Sequence, residues 1–141
     1  MKPVCLVIGA GAGIGSNTGI KFAKEGYHTC LCRRSDADGL DRIVTKIKQS
    51  GNEASGFILD ATQNETIENL VSEVEEDIGP IEVAIYNLGA QIGDKSLEKT
   101  SNKQFELGWK LGTYGLFRLA SSLFPKMVKR KKGAVIVTSS T

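Results

Sequence analysis

The sequence has little charge of one sign, no long apolar run and only three cysteines, and each shortage removes a class of function. Eighteen basic and sixteen acidic residues leave a net charge of +2, which argues against nucleic acid as the main partner. The apolar opening from Val4 to Ile8 is far too short to span a membrane, and the glycines after it make a poor signal-peptide core. A cytoplasmic protein without a membrane partner is expected. Cys5, Cys30 and Cys32 are odd in number, lie in strand-like runs and lack metal-ligand spacing, so they read as small buried hydrophobes and no metal site is expected. Composition shifts, repeats and low-complexity runs are also missing. With 141 residues, 40% of them hydrophobic, the chain reads as one domain, residues 1–141.

Glycine, by contrast, is concentrated where it matters. Val4 to Gly15 reads VCLVIGAGAGIG, a short buried strand that stops in alternating glycines and restarts as a helix near Gly13. Glycines allow a sharp turn and the close approach of a ligand, and the helix N-terminus behind them offers free N–H groups to an anion. A pyrophosphate is the expected guest at Gly9, Gly11, Gly13, Ile14 and Gly15, the alternative being a βα turn with no ligand.

Strand-like and helix-like segments then alternate. Strands are expected at Tyr27–Cys32, Ala54–Leu59, Ile81–Tyr86 and Ala134–Thr138. Helices are expected from Ser16 to Glu25, from Asp36 or Asp38 to Gln49, from Asn64 to Ile78, and as one long run from about Ser101 to Lys132. This rhythm gives right-handed βαβ units and a doubly wound parallel sheet of the Rossmann type, α/β in class, with strand order 3-2-1-4-5. Ligands in such sheets sit beyond the carboxyl ends of the strands.

The glycine spacing G-x-x-x-G-x-G at Gly9, Gly13 and Gly15 resembles that of the short-chain dehydrogenase/reductase family, with Ile8 where that family usually has Thr. Several further positions match, in order. Cys32, Arg33 and Arg34 fall where an acidic residue would select NAD. The resemblance puts Cys32 at that acidic position and Arg33 at a basic position of NADP-type members, which favours NADP; solvated surface arginines are the alternative. Asp60 and Ala61 resemble the pair whose Asp meets the adenine amine, although an Asp there can equally cap a helix. Asn87 and Gly89 resemble the family's N-N-A-G, with Tyr86 and Leu88 as departures, and turn chemistry alone would also place them.

In the long helix, Gly112 stands where many members carry an Asn of the proton relay. Tyr114 reads as a core or interface residue in preference to a catalytic acid, and Lys126 to Lys132 as a solvated basic end. Ser140, in the closing Ala-Val-Ile-Val-Thr-Ser-Ser run, matches the serine whose hydroxyl holds the substrate oxygen. The family's Tyr-x-x-x-Lys and its C-terminal strands would fall beyond Thr141, so the resemblance covers the cofactor half. It implies an NADP(H)-dependent oxidoreductase acting on a carbonyl or alcohol, forming a homodimer or homotetramer through the long helix. A non-catalytic dinucleotide-binding or redox-sensing protein on the same fold is the alternative.

Overall fold

The computed structural model describes residues 1–89 and 95–139. Five parallel strands, β1 (Val4–Ile8), β2 (His28–Arg33), β3 (Ala54–Ile58), β4 (Ile81–Tyr86) and β5 (Ala134–Val137), form one sheet in the order β3-β2-β1-β4-β5. The helices are α1 (Ile14–Lys24), α2 (Ala37–Gln49), α3 (Thr66–Asp77), α4 (Asn102–Trp109) and α5 (Gly115–Arg130). No helix among the described residues is long and apolar enough to cross a membrane.

Strand periodicity divides the core in two. Leu6, Ile8, Cys30, Cys32 and Tyr86 face α3 and α5, meeting Ile67, Leu70, Val71, Val74, Leu119, Leu123 and Met127. Cys5, Val7, Leu31, Val83 and Ile85 face α1 and α2, meeting Ala23, Leu40, Val44 and Ile47. The central strands β1 and β4 are covered on both faces and so need no polar alternation, whereas the edge strands β3 and β5 leave Ile58, Ile136 and Val137 exposed. Cys30 and Cys32 share a face as their spacing requires. Burial pushes the Cys5 and Cys30 thiols up to about 12 and Cys32 well above its ordinary value, so all three remain neutral.

Local chemistry sets the helix ends. Asp36, with φ 59°, accepts the Gly39 N–H and caps α2. Ser101 and Gln104 form a reciprocal capping box at α4. The single long helix expected from Ser101 to Lys132 is instead two helices joined by a π-helical segment, Lys110–Tyr114. Tyr86 explains the interruption. Its ring is fully buried, and a buried phenol needs a hydrogen-bond partner. That phenol donates to the Leu111 carbonyl inside the segment.

Two arginines of α5 grip α3. Arg118 pairs with Glu68, and Arg130 pairs bidentately with Glu75 at 2.7 and 2.8 Å while donating to the Ile81 carbonyl. Arg130 is therefore an exception within the basic run, which was expected to be solvated. It closes the lower end of the α3–α5 layer, and Lys132 reaches Glu82 at 3.2 Å.

Candidate functional site

The strands' carboxyl ends converge on Gly9. Its φ of +96° suits glycine, and a Cβ there would lie 2.3 Å from the Asn87 carbonyl oxygen, so no other residue fits without movement. The Gly9 and Ala10 N–H groups both donate to the Cys32 carbonyl, at 3.1 and 2.8 Å. The Gly9 carbonyl accepts Asn87 Nδ2 at 2.9 Å, while the Asn87 N–H donates to Ile8. Asn87 thus braces the junction of β1 and β4, as its position at the end of β4 suggests. Gly15 is close-packed too, because a Cβ on it would meet the Gly9 carbonyl oxygen at 2.2 Å.

Beyond this junction the loop opens. A cavity of about 690 Å³ is lined by residues 9–15, 33–36, 87 and 88. Cβ atoms added at Gly11 or Gly13 would meet nothing within 4 Å, so a ligand can rest directly on their backbone. Gly13 starts α1 without a side-chain cap, and the first turn carries no acidic residue. The first N–H groups of a helix lack intrahelical partners and attract negative charge. The Ala10 carbonyl is occupied by Ser16 Oγ at 3.1 Å and by Arg33 Nε. Ile14, 62% exposed, presents an apolar side chain at the rim.

Arg33 ends β2 with its side chain only 9% exposed. Besides Ala10 it reaches Asp36 Oδ2 at 3.0 Å and lies 3.5 Å from Ser16 Oγ. Cys32 is buried in the sheet core. Arg34 is exposed, lines the cavity, and makes no hydrogen bond or ion pair among the described residues. Of the two guanidiniums, Arg34 is the uncommitted one.

A second cavity, of about 210 Å³, shares Gly9, Arg33, Arg34 and Leu88 with the first and continues to Asp60, Ala61, Gly89 and Leu111. Asp60 Oδ1 accepts both the Thr62 N–H at 2.9 Å and the Thr62 hydroxyl at 2.6 Å. Those bonds, with a smaller contribution from Arg34, hold its carboxyl below the usual range. The carboxylate therefore organises its own turn, while α3 takes Glu65 as its N-cap residue. The proposed catalytic Ser140 lies outside the described residues.

Sequence reading missed Arg118. It is a buried arginine between core positions of α5, and its guanidinium reaches the main chain of the Asp60 turn. A charged residue where the helical stripe calls for an apolar one was the available signal. It also missed the aromatic stack of Trp109 on Tyr114, whose ring centroids are 4.9 Å apart and whose planes differ by 10°. Tyr114 is 38% exposed, stacked and close to Arg118, with no contact to the cavities.

A parallel sheet wound on both faces by helices, with a glycine turn and two joined cavities beyond its carboxyl edge, is a Rossmann-type nucleotide-binding fold. A family described as short chain dehydrogenase matches residues 3–141. The chain belongs to that family, whose members are oxidoreductases that bind nicotinamide cofactors. The chain is 31% identical over 97% of its length to a fatty acyl-CoA reductase of Acinetobacter baylyi, covering 46% of that protein. Among solved structures it is similar to a metagenomic short-chain oxidoreductase in complex with NADP, with a TM-score of 0.92 at 24% identity over 98% of this chain and 62% of that one. It is also similar to an alcohol dehydrogenase from Thermococcus sibiricus complexed with 5-hydroxy-NADP, with a TM-score of 0.89 at 29% identity over 98% of this chain and 58% of that one. The chain spans about half the length of the curated relatives it matches.

Proposed function

We propose that the chain is the cofactor-holding part of an NADP(H)-dependent oxidoreductase acting on a carbonyl or alcohol. The observation that carries this reading is the rim of the joined cavities, where Arg34 is exposed and makes no hydrogen bond or ion pair among the described residues, acting on Asp60 only through its field, while the carboxylates of Asp36 and Asp60 are already engaged by Arg33, Gly39 and Thr62. An acid free to take a ribose 2′-hydroxyl would favour NAD, whereas a free guanidinium suits a 2′-phosphate.

The cradle at Gly11 and Gly13 and the uncapped start of α1 fit a pyrophosphate. In this reading Gly9, Gly11, Gly13, Ile14 and Gly15 hold the pyrophosphate end, and Arg34, with Arg33 behind it, holds the 2′-phosphate. Asp60 and Ala61 border the adenine, and Asn87 and Gly89 form the floor towards the nicotinamide. The nicotinamide cofactor, when bound, supplies or accepts the hydride. Ser140 donates its hydroxyl hydrogen bond to the substrate oxygen, where charge develops during the reaction. In a longer protein that carries the Tyr-x-x-x-Lys segment, replacement of Ser140 by Ala is expected to lower kcat on the order of a hundredfold or more.

Titration tests the cofactor choice. NADPH is expected to bind more tightly than NADH by about 1–3 kcal/mol, the scale of charge-assisted contacts. Arg34→Ala should remove that preference. Arg33→Ala should weaken both cofactors, because Arg33 also holds the Ala10 carbonyl of the glycine turn. Equal affinities in the unaltered chain would refute the assignment.

A second reading, a dinucleotide-binding protein without turnover, is favoured by one feature. Gly112, at the position of the family's relay Asn, has open space where a side chain would begin. In a longer protein that carries the Tyr-x-x-x-Lys segment, NADPH binding without reduction of any member of a broad carbonyl panel would select it.

A further inference from the structure

Arg118 is 7% exposed, and burying a guanidinium is unfavourable unless each of its faces and donors is used. Its Nε lies 2.9 Å from Glu68 Oε1 and its Nη2 2.8 Å from Glu68 Oε2, a bidentate pair across α3 and α5. The remaining contacts are of a different kind. Nη1 donates to the Ala61 carbonyl at 2.6 Å and Nη2 to the Gln63 carbonyl at 2.9 Å. One planar group therefore fixes a helix and the turn that follows β3. The ring of Tyr114 covers it, with Cζ 5.9 Å from the ring centroid.

The turn itself has few other anchors. Asp60 Oδ1 bonds Thr62, the Gln63 N–H bonds the Asp60 carbonyl, and the Thr66 hydroxyl bonds the carbonyls of Asp60 and Gln63. All of these lie within the turn and the start of α3; against the sheet the turn is located by the Leu59 N–H bond to the Arg33 carbonyl, by the buried Ala61 side chain and, through the main-chain carbonyls of Ala61 and Gln63, by Arg118. Asp60 and Ala61 form one wall of the second cavity. Arg118 does not line that cavity, yet it holds the main chain of the wall.

We propose that Arg118 is a positioning residue for the nucleotide site, setting the Asp60–Ala61 wall and thereby the affinity for the adenosine end of the cofactor. This rests on the reading that the second cavity takes adenosine. Arginine is required because its rigid fork serves a carboxylate and two carbonyls at once, whereas a lysine ammonium is a single point on a flexible stem.

The test follows amide chemical shifts of the full 141-residue chain during titration with 5′-AMP and, separately, inorganic pyrophosphate. Pyrophosphate probes the glycine turn, which Arg118 does not touch. In the unaltered chain 5′-AMP is expected to shift the Ala61 amide, and pyrophosphate those of Gly11 and Gly13. Arg118→Lys should raise the 5′-AMP dissociation constant at least fivefold and leave that of pyrophosphate within twofold. A residue that only stabilised the fold would move both together or neither, and either result overturns the proposal. Should Arg118→Lys fail to fold, Glu68→Gln, which keeps the arginine and loosens its grip, is expected to weaken 5′-AMP alone by two- to threefold, and unchanged 5′-AMP binding there refutes the idea. If the unaltered chain binds pyrophosphate but not 5′-AMP, the adenosine reading of the cavity falls first and this inference with it, a result distinct from normal 5′-AMP binding by the variants.

Discussion

Replacing Gly9 by Ala concentrates two costs at one atom. The residue has φ +96°, where a Cβ costs about 1–2 kcal/mol. That Cβ would also stand 2.3 Å from the Asn87 carbonyl oxygen and 2.7 Å from its carbon, both main-chain atoms that cannot swing aside. Forcing extra volume into packed structure costs about 1–3 kcal/mol. Reduced freedom of the unfolded chain returns about 0.4–1 kcal/mol, so a net loss of roughly 2–3 kcal/mol is expected. For a chain of this size that corresponds to a fall of roughly 8 °C in Tm. Gly11→Ala is the internal control, since it adds the same methyl to the same turn where nothing lies within 4 Å. It should change stability by less than about 0.5 kcal/mol while weakening pyrophosphate, because the methyl occupies the cradle. Urea unfolding of the two variants measures the difference. A loss below about 1 kcal/mol for Gly9→Ala, or equal losses for both, would refute the convergence of strands at Gly9.

Tyr86→Phe strands the Leu111 carbonyl and should cost about 1–3 kcal/mol by thermal unfolding, the penalty of an unpaired buried acceptor; an unchanged midpoint would show that water replaces the phenol. Acid should act in two stages. Burial lowers the pKa of His28 from 6.5, so the unfolded chain takes up this proton first and stability declines as pH falls below 6.5. Asp60, held by Thr62, and Glu68, held by Arg118, are depressed from 3.8 and 4.5, so their contribution is present above about 4.5 and is lost as pH falls through the folded values. His28→Gln should flatten the upper stage of the urea-midpoint profile and spare the lower; a profile identical to that of the unaltered chain would count against it. Phe117, Phe124 and Val128 recur along α5 and are 65%, 49% and 74% exposed, the kind of stripe a symmetric homo-oligomer covers. Phe117→Asp should lower the mass found by light scattering, and an unchanged mass would exclude this face.

Most of the frame was legible because each element carries its own signal. The run Val4–Ile8 ends at a glycine turn, the stripe Leu40, Val44 and Ile47 has helical period, and Gly26 and Gly51, at φ +92° and +83°, stop the helices before them. What was hidden depends on partners distant in sequence. A 3.6-residue period runs unbroken through 110–114, and only Tyr86, from β4, reveals why the backbone widens there. The bonds of Arg33 could not be read either, because only the fold brings the Ala10 carbonyl and the Asp36 carboxylate together around it. Arg118 is harder still to find, since two of its acceptors are main-chain carbonyls, which have no identity in a sequence.

The widened turn has an optical consequence. The two rings it brings face to face stand five positions apart in the sequence, one more than in a regular helical pair, and one of them is the sole tryptophan of the chain. All indole emission therefore comes from a single place, one stacked tyrosine away from the guanidinium that holds the Asp60 turn. Any rewinding of residues 110–114 to a regular helix would separate that stack, and the protein's own fluorescence would register it without a label.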